Sequence, residues 1–321
     1  MMGKRPVIGS AGELLVEFVA TDQGGRHRRP TSYRGPFPSG APAIFIDQAA
    51  RVGAKALFAG AVGDDAFGNV ILDRFREDGV ATDLIARVAG VPTGSAFVSY
   101  NDDGSRDFVF NITHAAAARL DTPEATAGAM LTDGIEIFHI SGSSLGDPKM
   151  AATLLALAET LHKSGVKLSL DPNIRKELLG DAGYRRTVDK LMVLSNFILP
   201  SEEDAAVLFP GEPFEVFAPR LIEQGAEFVV LKRGEHGAQG RGRNGEAADL
   251  PAFAVPVADP TGAGDCFCGT LVTLLATGDL PFADALRMAN AAGALAVQQV
   301  GPMEGNSTLA EIETFLAEHR I

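Results

Sequence analysis

Apolar and polar positions along the chain follow two rhythms. From residue 135 onward, short apolar, β-branched runs at 135–140, 167–171, 196–199 and 227–231 alternate with stretches of helical spacing at 149–163, 184–194 and 214–224. That alternation predicts strand–helix units and a doubly wound, mostly parallel α/β sheet flanked by helices. The N-terminal half is more mixed. Residues 5–9 and 13–19 read as strands, and 23–38 as a Gly- and Pro-rich loop with a strand near 31–34. Helical spacing starts at Pro42 and stops at Gly53, a buried strand follows at 56–61, and a helix at 64–79 carries Phe67, Val70, Ile71 and Phe75 on one face. Residues 93–100 and 106–112 then alternate around Asn101-Asp102-Asp103-Gly104, which is a hairpin signal. The hairpin breaks the strand–helix alternation and so predicts a separate small β-sheet. Two helices, 281–298 and 309–319, close the chain. With no repeat, linker or low-complexity tract, the expectation is a single domain over residues 1–321.

The stretch that organises the rest is 255–269, VPVADPTGAGDCFCG. A strand-like run with Val255 and Val257 stops at Asp259-Pro260, since the residue before a proline is pushed out of helical geometry. Thr261-Gly262-Ala263-Gly264-Asp265 then leads into Phe267, Leu271, Leu274 and Leu275 at helical spacing. A glycine turn therefore opens a helix. Its first amides, at Gly262, Ala263 and Gly264, face outward unpaired, and with the helix dipole behind them they suit an anion. Asp265 stands beside that anion, placed to take a proton from an attacking group, an arrangement suited to phosphoryl transfer. On spacing alone, Asp265 as a simple helix cap accounts for the pattern equally well.

Composition narrows the partners. The make-up, 46% hydrophobic and 21% charged over 321 residues, is that of a soluble globular chain long enough for one large α/β domain. A net charge of −13 argues against nucleic acid and anionic membranes, and it calls for Mg²⁺ wherever a nucleotide binds. The start, MMGKRPVIGS, lacks an apolar leader core and no run of about 18 apolar residues occurs, so a cytoplasmic protein is expected. Cys266 and Cys268 point to different sides of the predicted helix, which fits buried small-residue packing rather than a disulfide or chelate. The six histidines show no ligand spacing. Residues 240–245, GRGRNG, formally match GxGxxG, yet no long apolar helix follows, so a polar hairpin turn is expected.

Asp259-Pro260-Thr261-Gly262-Ala263-Gly264-Asp265 resembles the D-[TP]-T-G-A-G-D signature of the ribokinase-like (PfkB) carbohydrate kinases. The likeness extends over nearly the whole chain. It implies ATP and Mg²⁺, with K⁺ a further requirement in question, a sugar as acceptor, and a β lid over the sugar built from about 13–37 and 92–113 that often doubles as a homodimer interface. By the same resemblance, Asp265 is the catalytic base and Gly262, Ala263 and Gly264 form the anion hole. Glu17 stands where an Asp usually binds sugar hydroxyls, and Ser39-Gly40-Ala41-Pro42-Ala43-Ile44 is similar to G-G-A-x-x-N, with Ile44 replacing the Asn and making a less polar wall. Gly40, Ala41, Asn111 and Arg175 complete the expected sugar contacts. Asn173, Lys232, Gly234, Gly237, Thr261 and Asn290 are the expected nucleotide contacts. Asp204 takes the place of an acid that orders the water shell of the metal.

In members acting on 2-keto-3-deoxygluconate the second lid strand carries a Tyr-Arg type grip for the carboxylate. Here Phe110-Asn111 stands there, which favours a neutral sugar. Residues 35–48 resemble the tagatose-kinase-like members, so ketohexoses (tagatose, fructose) come first, 2-keto-3-deoxygluconate second, and ribose or nucleosides third. The departures at Ile44, Ser201 and Asp204 also admit a catalytically inactive sugar-binding regulator, against which the intact Asp265 and its glycines argue.

Overall fold

The computed structural model describes residues 5–103, 105–120, 122–174 and 178–319. The chain runs β1 (Val7–Ala11), β2 (Leu15–Ala20), β3 (Tyr33–Ser39), α1 (Ala41–Arg51), β4 (Lys55–Gly63), α2 (Ala66–Asp78) and β5 (Val80–Val88). It continues through β6 (Gly94–Tyr100), β7 (Arg106–Asn111), α3 (Pro123–Thr132), β8 (Ile137–Ser141), α4 (Pro148–Lys163), β9 (Lys167–Asp171) and α5 (Ala182–Leu194). The last part holds β10 (Phe197–Ile198), α6 (Glu202–Leu208), α7 (Phe214–Glu223), β11 (Phe228–Lys232), β12 (Ala238–Gly242), β13 (Ala247–Leu250), α8 (Ala263–Thr277), α9 (Phe282–Ala296) and α10 (Leu309–Glu318).

Nine strands form one sheet in the order β13-β12-β11-β10-β9-β8-β1-β4-β5. Pairing is parallel from β11 to β5, and only the β12–β13 hairpin, which holds residues 240–245, turns back antiparallel. The central strands are buried on both faces, hence their near-continuous apolar runs. Two cores result. One packs α1, α2, α8, α9 and α10 on one face, around Phe45, Phe58, Phe75 and Leu271. The other packs α3, α4, α5 and α7 on the opposite face, around Leu154, Leu161, Val188 and Phe217. Because β1 lies between β4 and β8, successive connections leave it in opposite directions. Loops part at such a switch point and open a crevice at the carboxyl ends of the strands.

A second sheet, β3-β2-β6-β7, stands apart and contains the expected β6–β7 hairpin. Its edge differs from the sequence reading: β3 runs through Pro36 and Pro38, where a loop was expected. Proline lacks the amide a ladder needs, and an edge strand tolerates that loss. Three further elements escape the sequence pattern. β5 and α3 mix polar and small residues without a clean period, and residues 255–257 form no strand. Instead, the amides of Ala258 and Asp259 reach Val297 O at 2.7 and 3.1 Å, at the end of α9.

The crevice is braced by Gly142, directly after β8, which packs against the loop after β9. A Cβ placed there would lie 1.7 Å from Pro172 O. Gly142→Ala is expected to lower the unfolding free energy by about 1–3 kcal/mol, as overpacked sites do, measured by urea denaturation. An unchanged midpoint contradicts this close approach.

Candidate active site

The start of α8 is as open as the sequence suggests. Gly262, its N-cap, has φ 84 in the left-handed region and supplies no side chain to cap the helix. A Cβ there would also come within 2.4 Å of Pro302 O, so the position demands glycine. By helix geometry the amides of Ala263 and Gly264 have no intrahelical acceptor, and they present a positive dipole end. Asp265 lies in the first turn, 9% exposed, and lines the same cavity as Gly262 and Gly264. The turn is held from below by Asp259, fully buried, which accepts from Thr261 N at 2.9 Å and Gly301 N at 3.1 Å. It is also tied to the small sheet. The Tyr100 hydroxyl donates to Asp259, and Arg106 Nη1 donates to Thr261 Oγ1 at 3.1 Å.

A cavity of about 520 Å³ lies between this turn and the small sheet. Gly40 and Ala41 line it, and Ile44 provides the less polar wall expected from the sequence. Glu17 enters from β2 with 3% exposure; Ser39 Oγ donates to its Oε2 at 3.2 Å, while Oε1 has no partner. Burial pushes its pKa from 4.5 to about 7, the nearby Asp259 adds to the rise, and the Ser39 hydrogen bond and Arg106 oppose it. From β7 it is Arg106, Phe108 and Phe110 that face the cavity. Asn111, expected from the sequence as a sugar contact, falls on the other face of the strand and is not a lining residue of this cavity. Adjacent strand residues point to opposite faces, so Phe110 and Asn111 cannot both reach inward. Counting back from Phe110 in twos finds Arg106, the cation that the sequence reading missed. Arg175 lies outside the described residues.

The floor carries the charges. Asp171 ends β9 and Lys232 ends β11, and the two form a buried ion pair. The carboxylate holds the ammonium charged and its pKa above the ordinary lysine value, against the opposing effect of burial. Cys268 Sγ sits 3.6 Å from Lys232 Nζ, and Cys266 Sγ is 2.7 Å from Asn306 Oδ1, so both cysteines are buried but in polar company. Asn173 takes a left-handed φ of 37, lines the cavity and donates its backbone N–H to Asp171 Oδ1 at 3.3 Å. Asp204 also lines it, yet its carboxylate accepts from Ser201 N (2.8 Å), Ser201 Oγ (2.7 Å) and Ile174 N (2.7 Å). That geometry makes it one half of a capping box and a tether for the loop at residue 174, with little capacity left to order a metal's water shell.

Lys232, Gly234, Pro260 and Gly264 also line a second cavity of about 590 Å³. Gly237, Phe253, Ala263, Asn290 and Val297 extend it into an apolar slot, and Asn290 Nδ2 donates to Pro251 O at 3.2 Å. A slot with apolar walls that ends at an unpaired helix start and a lysine fits a planar base with a phosphate tail. Among the described residues no group of three or more His, Cys, Asp or Glu could hold a metal ion. Mg²⁺ suits such a site, because it is held largely by phosphates and water rather than by a protein cage.

The profile described as pfkB family carbohydrate kinase matches residues 7–309. An E. coli protein described as a candidate ribokinase II, solved with ATP and Mg²⁺, is 38% identical, with a TM-score of 0.91 over 98% of this chain and 100% of that one. A fructokinase from Xylella fastidiosa with bound ATP is 26% identical, with a TM-score of 0.82 over 97% and 98% of the two chains. Fructokinase-1 of Oryza sativa subsp. japonica is 29% identical over 97% of this chain and 98% of its own length. The signature turn, the nine-stranded sheet and these matches agree: the chain belongs to the pfkB family of carbohydrate kinases.

Proposed function

We propose that this kinase transfers the γ-phosphoryl group of ATP, with Mg²⁺, to a hydroxyl of a ketohexose, fructose or tagatose. The observation that carries the reading is the order of groups along the joined cavities. Glu17 offers an unpartnered carboxylate oxygen to sugar hydroxyls in the cavity that Asp265 lines, and the open amides of Ala263 and Gly264 lie between that cavity and the nucleotide-sized slot. The fructokinase names of the relatives point the same way.

ATP with Mg²⁺ supplies the phosphoryl group. Asp265 takes the proton of the attacking hydroxyl, and the amides of Ala263 and Gly264 hold the charge that develops on the transferring oxygens. Lys232, held charged by Asp171, and Asn173 face the phosphates, while Gly234, Gly237, Thr261 and Asn290 line the approach. The small sheet acts as a lid within one domain, latched to the α8 turn through Tyr100 and Arg106. Its outer strand exposes Val109 (44%), a surface suited to a homodimer. The cytoplasm is the expected compartment. Arg106 in the cavity wall favours one second reading, an acid sugar such as 2-keto-3-deoxygluconate, since its guanidinium can pair with a carboxylate.

Coupled ADP release over a panel of ketohexoses and 2-keto-3-deoxygluconate separates these substrates, and silence with every sugar removes the kinase reading. Asp265→Asn should keep the fold and nucleotide binding while turnover falls by roughly 10²- to 10⁴-fold; near-normal turnover contradicts the base assignment. Glu17 makes the free protein pH-sensitive. Its folded pKa is the higher one, so its contribution to stability is present below 4.5 and is lost as pH rises to about 7. Melting temperatures of wild type and Glu17→Gln should therefore diverge across that window, wild type losing ground as pH rises. Parallel curves contradict the burial of a titrating carboxyl.

A further inference from the structure

Past the sugar cavity lies a third hollow of about 360 Å³, itself within the size range of small-molecule sites. It shares Glu13, Leu15 and Phe110 with the sugar cavity and no lining residue with the nucleotide slot. The three spaces therefore form a row: nucleotide, transfer site, hollow. A molecule whose reacting hydroxyl meets Asp265 and which continues away from the nucleotide passes Phe110 and enters the hollow.

The walls say what it would meet there. The acids are engaged by the protein: Glu13 accepts from Ser143 Oγ at 2.8 Å and from the Ser144 hydroxyl, and Asp147 Oδ1 caps α4 by accepting from Lys149 N and Met150 N, both at 2.9 Å. Much of the remaining wall is apolar, from Ile112, Ala117, Ala118, Pro148, Met150 and Leu178. The two alanines leave the space that a larger residue would fill. Two carboxylates, Glu13 and Asp147, are among the described residues that line the hollow.

We infer that the acceptor of this enzyme is longer than a hexose: a sugar bearing an apolar substituent at the end remote from the reacting hydroxyl, with that substituent in the hollow. This inference rests on the sugar-kinase reading. Its test compares fructose with the 1-O- and 6-O-butyl ethers of fructose, by calorimetric binding and by ADP release. One ether should bind roughly tenfold or more tighter than fructose, since each methylene buried in an apolar pocket is worth a factor of that order or more. The position that tolerates the ether also identifies which hydroxyl reacts. Ala118→Phe, and independently Thr113→Phe at an exposed lining position, should abolish the gain and leave fructose within about twofold. Ethers that bind no tighter than fructose, or a gain that survives both substitutions, overturn the inference. ADP release with fructose but no gain from either ether removes this inference alone. No ADP release with any sugar or ether removes the kinase reading and this inference with it.

Discussion

Everything in the site depends on a helix that starts without a side-chain cap. A left-handed glycine at residue 262 turns the chain into α8 and contributes no side chain, so the first amides of that helix remain available. A helix end left bare inside a protein is costly unless something fills it, and such an end is suited to an anion. The surrounding structure keeps the turn in place. Pro302 crowds Gly262, Asp259 pulls on Thr261 and Gly301, and Tyr100 and Arg106 connect the turn to the small sheet. A movement of that sheet is thus felt at the first amides of α8.

Charge placement follows from the same need. A chain with net charge −13 would repel phosphates at most points of its surface. The site answers locally: Lys232, fixed by Asp171, lines both cavities, and Arg106 reaches in from β7. The acids nearby are arranged so that few of them face the phosphates bare. Asp204 is taken up by Ser201 and Ile174, and Asp259 is buried beneath the turn. Glu17 is pushed toward neutrality by burial.

How much of this was legible from sequence varies with how local the cause is. The α8 turn lies within seven consecutive residues, and its chemistry follows from glycine freedom and helix ends. The buried strands from β8 to β11 announce themselves as apolar runs. By contrast, β3 is a strand only because an edge forgives its prolines, and β5 and α3 lack a period because their packing is set by distant segments. Arg106 is legible in the two-residue alternation of β7, and the Ser201–Asp204 capping box in its spacing. The hollow beside Phe110 was not readable, since its walls come from segments far apart in the chain and meet only when the chain is folded.

The most direct measurement is a crystal structure of the protein with fructose, Mg²⁺ and a non-hydrolysable ATP analogue. The account predicts terminal phosphate oxygens within about 3.2 Å of the amides of Ala263 and Gly264, and a sugar hydroxyl on the Asp265 carboxylate. A nucleotide bound with its phosphates turned away from that helix start, or a sugar lodged out of reach of Asp265, would contradict it.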